Sequence, residues 1–301
     1  MSTFADRAIR ATRRLGHPLC VGLDPHLDLL PELFRRGSMS PQDPATADQV
    51  EAFLTLVLEK VAGRVAVVKP QIAFFERLGW RGLAALERLV TKARALGLLV
   101  LLDAKRGDIG STAAAYAASY FGGDAPLRVD ALTVNPYLGL DSLAPFADHA
   151  RRAHGGLFVL VKTSNPGARD FQNLELGGRT LFETVAAALA AEADSWRGET
   201  GWSSLGVVVG ATQASDAPRV RQLLPHSLFL VPGYGAQGGG ASEALAGFVP
   251  GQGGRLEGGL VNSSRGVVFP NAAATAASAA TWELAFDEAL TRAIDELGSL
   301  C

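Results

Sequence analysis

The sequence has two cysteines, two methionines and five lysines in 301 residues, and its charges nearly cancel. Each shortage excludes something. Cys20 lies in an apolar run and Cys301 is the last residue, with no Cys-x-x-Cys spacing. Neither a disulfide-stapled miniprotein nor a cysteine-ligated metal is expected. Cys20 reads as a small buried hydrophobe and Cys301 as a terminal thiol, which fits a reducing compartment. With 28 basic and 30 acidic residues the net charge is −2, and the basic face that a dedicated nucleic-acid binder needs is missing. No apolar run approaches the roughly 20 residues of a membrane span. We therefore expect no nucleic-acid partner, no membrane partner and a cytoplasmic protein. The stretch from Met1 to Gly16 carries Arg7, Arg10, Arg13 and Arg14, but Asp6 and its brevity argue against a transit peptide. A helix leading into the first strand is expected there.

Metal-ligand chemistry is also scarce. No dense His/Cys/Glu cluster that would hold a transition metal is present. His17, His26, His149, His154 and His226 follow no strand-end pattern and pair with no Ser or Cys nucleophile, so no catalytic role is expected of them.

What is present is a well-cored globule, with 48% apolar and 19% charged residues. A chain of this length buries most of its surface without a metal or disulfide. Short apolar runs recur at Leu19–Asp24, Val65–Lys69, Leu98–Asp103, Ala131–Asn135, Leu157–Lys162, Gly206–Gly210, Leu228–Pro232 and Gly259–Ser263. Most are continuous and rich in Val and Leu, the pattern of parallel strands buried on both faces. Helix-forming stretches alternate with them near 46–62, 79–96, 110–120, 139–153, 179–196, 215–224, 241–247 and 273–297. The Ala-rich run Ala272–Ala280 reads as the start of the last helix. This order predicts an α/β fold, a (β/α)8 TIM barrel, with a doubly wound open sheet as the competitor. No linker divides the chain, so residues 1–301 read as a single domain. It has an N-terminal helix and long loops near 36–45, around the Pro-rich Ser38–Pro44, and near 165–178. Gly251–Gly259 is a Gly-rich connection before the last strand.

Active sites of this barrel class lie at the C-terminal strand ends, so the residues there matter most. The runs end at Asp24, at Lys69, and at Asp103-Ala104-Lys105-Arg106-Gly107-Asp108. Later ends are Asn135, Lys162-Thr163-Ser164, the loop Gly233-Tyr234-Gly235-Ala236-Gln237-Gly238-Gly239, and Ser263-Ser264-Arg265-Gly266. The 28 basic residues include only five lysines, and Lys69, Lys105 and Lys162 all fall at strand ends. Converging charges are costly unless they serve something. The alternation of Lys69 and Lys105 with Asp103 and Asp108 suggests one network. In an extended strand end Asp103 and Lys105 point to the same side, and Asp108 follows a turn at Gly107. Such groups perturb one another's pKa, and the ammonium is a proton donor. The plainer alternative is that Asp108 caps the next helix and Asp103–Lys105 is an ordinary ion pair. The Gly-rich seventh loop together with Arg265 suits a phosphate, since glycines let backbone N–H groups approach and Arg grips bidentately.

At these residues the chain resembles the orotidine 5′-phosphate decarboxylase family. The resemblance rests on Val21-Gly22-Leu23-Asp24-Pro25, Lys69-Pro70-Gln71, Phe74-Phe75-Glu76, and Leu102-Asp103-Ala104-Lys105-Arg106-Gly107-Asp108-Ile109-Gly110. It continues through Thr163-Ser164-Asn165-Pro166-Gly167, Pro232-Gly233-Tyr234-Gly235-Ala236-Gln237-Gly238-Gly239 and Asn262-Ser263-Ser264-Arg265-Gly266. The length and the Thr-Ser-Asn-Pro-Gly block are similar to the longer bacterial branch. The resemblance implies decarboxylation of orotidine 5′-monophosphate to uridine 5′-monophosphate, the last step of de novo pyrimidine synthesis, with no cofactor and no metal. It implies a Lys69–Asp103–Lys105–Asp108 network, with Lys105 protonating the vacated ring carbon and Asp103 beside the departing carboxylate. Asp24 and Lys69 match ribose-contacting positions, Ser164 the serine that bonds the pyrimidine, and Gln237 and Arg265 the phosphate grip. Asp108, Ile109 and Thr112 match residues that family homodimers contribute to the partner's site.

Two other readings remain open on sequence. The same superfamily contains a magnesium-dependent decarboxylase of keto-sugar phosphates and a hexulose-phosphate synthase, both expected to need a carboxylate-rich metal site where this chain has Lys69. A non-catalytic nucleotide-binding barrel is the other.

Overall fold

A computed structural model describes residues 2–235 and 237–301. Eight parallel strands close into a barrel in sequential order. They are β1 Leu19–Leu23, β2 Val67–Pro70, β3 Leu99–Arg106, β4 Ala131–Val134, β5 Gly156–Lys162, β6 Ser203–Val209, β7 Ser227–Val231 and β8 Gly259–Ser263. The closing ladder pairs Leu19 with Val261, Cys20 with Asn262 and Val21 with Ser263. That closure excludes the open doubly wound sheet.

Side-chain parity divides the core into two shells. Cys20, Val67, Leu101, Ala131, Phe158, Val208, Leu230 and Leu260 meet inside the barrel. Their outward neighbours Val21, Val68, Leu102, Leu132, Val159, Val207 and Val261 pack under the helices. Both faces of each strand are thus dry, which explains the continuous apolar runs. Inside, burial holds the Cys20 thiol neutral, its pKa pushed up to about 12.

The N-terminal helix Phe4–Leu15 plugs the bottom of the barrel. Thr3 and Asp6 form a reciprocal capping box and Gly16 ends the helix in the left-handed region. Phe4 meets the interior Phe158 edge to face at 5.9 Å. The Ala5 N–H donates to Ser204 Oγ at 2.9 Å. Nearby, His17 is buried as a neutral ring, with Nε2 against Arg64 O and Nδ1 accepting from Leu19 N. Burial lowers its pKa.

Several connections differ from the sequence expectation. The run 273–297 is two helices, Asn271–Ala274 and Ala279–Gly298. Ser278 caps the second by accepting from Thr281 N, and a capping serine outcompetes helix continuation through an alanine run. Region 139–153 opens with a short turn Leu140–Ser142 before the helix Ala144–Arg152, and Pro145 sits in its first turn, where proline is tolerated. Segment 165–178 holds a helical turn Ala168–Phe171 and, with the residues after it, a hairpin of Glu175–Leu176 and Arg179–Thr180. The helix near 179–196 therefore begins at Leu181.

Candidate active site

The C-terminal ends of the strands enclose a cavity of about 580 Å³ lined by Asp24, Lys69, Asp103, Lys105, Ser164, Gln237 and Arg265, among others. Its floor is asymmetric. Leu160, Val208 and Leu230 on β5 to β7 form an apolar wall, while Asp24, Lys69, Asp103 and Lys105 crowd the β1 to β3 side.

Asp103 is the centre of the charged side. Its Oδ2 accepts from Lys69 Nζ at 2.9 Å, and its Oδ1 accepts from Lys105 Nζ at 2.7 Å and from Thr133 Oγ1 at 2.9 Å. Burial alone would raise the Asp103 carboxyl; Lys69 and then Lys105 outweigh it and hold that pKa well below the usual carboxylate range. Burial would likewise lower Lys69, yet Asp103 and Asp24 outweigh it and raise it. Both groups therefore stay charged at neutral pH despite being buried.

The backbone here corrects the extended strand end that the sequence suggested. Lys105 adopts φ +47°, in the left-handed region, and β3 bulges against β4 between Leu102 and Arg106. For a residue with a Cβ this conformation costs about 1–2 kcal/mol. Thr133, fully buried on β4, holds it in place. The N–H groups of Ala104 and Lys105 both donate to Thr133 Oγ1, at 2.9 and 2.8 Å. The bulge turns Lys105 into the cavity. Replacing Thr133 with Val orphans these two N–H groups, each costing roughly 1–3 kcal/mol. Thermal unfolding should show that loss, and Thr133→Ser, which keeps the hydroxyl, should restore most of it.

Lys162 goes the other way. The β5–β6 register shifts between Leu160 and Lys162, and the ammonium leaves the lumen. It pairs with Asp216 Oδ2 at 3.0 Å, lies 4.5 Å from the Phe182 ring centroid, and hydrogen-bonds Asn173. It fastens segment 165–178 to the barrel. Gln172 of that segment accepts from Thr163 N and donates to Thr163 Oγ1. Ser164 is fixed by Thr212 Oγ1 on its carbonyl and donates its own hydroxyl to Gln237 Oε1 at 2.9 Å.

Gln237 and Arg265 face the same cavity from adjacent loops. Ala236 of the glycine-rich loop lies outside the described residues. Gly233 takes φ +96°, a conformation that favours glycine. Arg265 makes no ion pair among the described residues, leaving its guanidinium available to an anion.

Asp108, Ile109 and Thr112 do not line the cavity. Among the described residues the Asp108 carboxylate accepts only from the next N–H, that of Ile109 at 2.8 Å, and the helix Gly110–Tyr120 has no side-chain cap. The capping alternative for Asp108 is therefore excluded, and within one chain Asp108 stands apart from the Lys69–Asp103–Lys105 cluster. Ile109 is 58% exposed beside an outward apolar loop carrying Tyr137, Leu138 and Leu140. The two loops meet where Gly107 packs on Asn135.

Sequence reasoning assigned His26 no catalytic role, included Asn262 only within a motif, and did not single out Thr133. His26 lines the cavity and packs on Phe74 with ring centroids 4.4 Å apart. Its nearness to Asp24 was the available signal. Thr133 and Asn262 were detectable as inward positions of their strands, two residues beyond the interior Ala131 and Leu260.

The sequence profile of the orotidine 5′-phosphate decarboxylase / HUMPS family matches residues 17–280. The chain belongs to this family. A protein of Streptomyces coelicolor named orotidine 5′-phosphate decarboxylase is 46% identical over 269 residues, 89% of this chain and 90% of the relative. One from Rhodopirellula baltica with the same name is 43% identical over 273 residues, 89% of each chain. Among solved structures, Leishmania donovani OMP decarboxylase superposes with a TM-score of 0.74 at 34% identity, covering 99% of this chain and 98% of that one. Among the described residues no helix is long and apolar enough to cross a membrane.

Proposed function

We infer that this protein converts orotidine 5′-monophosphate into uridine 5′-monophosphate and carbon dioxide, the closing step of UMP biosynthesis, as the names of its relatives suggest. The observation that carries the reading is the Lys69–Asp103–Lys105 cluster on one side of a cavity whose opposite wall is apolar. The planar base fits the apolar wall. The C6–carboxylate bond breaks and its electron pair stays on C6. The Lys105 ammonium stabilises that carbanion and gives it a proton, then regains one from water. Asp103, kept ionised by its two lysines, lies beside the departing carboxylate. Ser164 addresses the base, Asp24 and Lys69 the ribose, and Gln237 with Arg265 the phosphate. Phosphate binding remote from the bond that breaks is usable in the transition state.

The metal-dependent reading fits the site less well. Asp103 already accepts from two ammonium groups and a hydroxyl, which fill three of its roughly four lone-pair sites, and the two ammonium charges beside it repel a cation. No cofactor is needed by this scheme. The loss of orotidine 5′-monophosphate absorbance on adding purified protein tests it. Full activity is expected after EDTA treatment. Unchanged absorbance, or activity abolished by EDTA and restored by magnesium, would refute it.

The assembly we propose is a homodimer in which Asp108, Ile109 and Thr112 complete the partner's site. The exposed Ile109, Tyr137, Leu138 and Leu140 support it, since apolar side chains grouped on one rim favour an interface. A cytosolic setting fits the two free thiols.

A further inference from the structure

We propose that Asn262 and Ser264 form a second half of the sugar site, hydrogen-bonding a ribose hydroxyl beside Asp24. The proposal rests on the nucleotide reading above and adds residues to it. On β8 the inward positions alternate Leu260, Asn262, Ser264, and on β1 they alternate Cys20, Gly22, Asp24. The ladder sets Cys20 against Asn262, so the two polar ends rise side by side into the cavity, which all three polar residues line.

These ends are unpaired. Asn262 Oδ1, Ser264 Oγ and Asp24 Oδ1 are each buried with no hydrogen-bond partner among the described residues. Asn262 is only 8% exposed. Native proteins leave few such groups, and several together call for a ligand or ordered water. Gly22 keeps the space open. A Cβ there would lie 2.7 Å from Ser264 Cβ, 3.2 Å from its Oγ and 3.3 Å from Asn262 Oδ1.

The chemistry of the three groups selects the part of the nucleotide that meets them. Two are oxygen acceptors and the third is a hydroxyl able to accept or donate. A phosphate offers no donor and is repelled by Asp24. The base belongs on the far apolar wall of Leu160, Val208 and Leu230. A sugar hydroxyl brings a donor to the acceptors and satisfies them in one step.

Titration calorimetry with uridine 5′-monophosphate and its 2′-deoxy and 3′-deoxy analogues tests this on the native chain, Asn262→Ala and Ser264→Ala. The native protein should bind the ribonucleotide about tenfold more tightly than at least one deoxy analogue. Asn262→Ala should weaken the ribonucleotide about tenfold and that analogue less than about twofold, so that the preference collapses. Ser264→Ala should narrow the same preference. A preference that stays at its native value in both variants overturns the proposal. The ratio is internal to each sample, so partial unfolding does not mimic the result. Turnover of orotidine 5′-monophosphate on the same native sample separates the two readings. Normal turnover with an unchanged preference refutes the subsite alone. Absent turnover with a collapsing preference refutes the decarboxylase and supports the subsite.

Discussion

Lys105→Ala is expected to lower decarboxylation by at least about 10³-fold, because one group both stabilises the carbanion and supplies the proton. The geometry makes the loss hard to replace. Lys69, the other ammonium in the cluster, is buried and bound to Asp103 at 2.9 Å. Water entering the vacated space supplies a proton but no fixed positive charge. Removing Lys105 also leaves Asp103 with one cation in place of two, facing the substrate carboxylate. Lys105→Arg keeps the charge, yet guanidinium gives up a proton far less readily, so it should recover binding more than turnover. The measurement is turnover at saturating substrate, with uridine 5′-monophosphate affinity as the control. Affinity retained with turnover lost assigns chemistry to Lys105. Near-normal turnover removes the proton-donor assignment.

The barrel was readable from sequence because its strands are dry on both faces. Eight separate runs such as Leu98–Asp103 and Leu228–Pro232, each followed by a helix, suit a closed parallel barrel, and the residues ending them fall on one rim. Side-chain direction at those ends was less readable. Parity placed Lys105 on the same side as Asp103 and left Lys162 only at a strand end, and each lysine follows a bulge. One bulge turns Lys105 inward on a left-handed backbone, and the other sends Lys162 out to Asp216. Nothing in Asp103-Ala104-Lys105 marks the bulge, since no glycine occupies the left-handed position. The cause lies on the neighbouring strand, in the hydroxyl of Thr133, and such a long-range bond leaves no local signature. The alanine run before the last helix failed for the opposite reason. Its propensity was read correctly, but the cap at Ser278 is worth more than the alanines gain by staying helical.

Lys105 and Asp108 are three residues apart in sequence, yet only Lys105 faces the cavity. This separation leads to the second large effect. Asp108→Ala should by itself lower activity at least about 10²-fold if its carboxylate belongs to a charged site. Co-expressing Lys105→Ala and Asp108→Ala chains with different affinity tags, then purifying on both tags, isolates the mixed dimer. If Asp108 serves the partner's cavity, one site of that dimer carries both lesions and the other carries neither. Twofold symmetry then predicts about half the native activity per dimer, from two chains that are each nearly inactive alone. If Asp108 serves its own cavity, each site keeps one lesion and the mixed dimer stays inactive. A mixed dimer with no gain over its parents therefore rules out sharing. The exposed Ile109 makes the geometric case for sharing: a carboxylate and an isoleucine side by side on an outward rim gain burial and charge partners together only when a second subunit covers them.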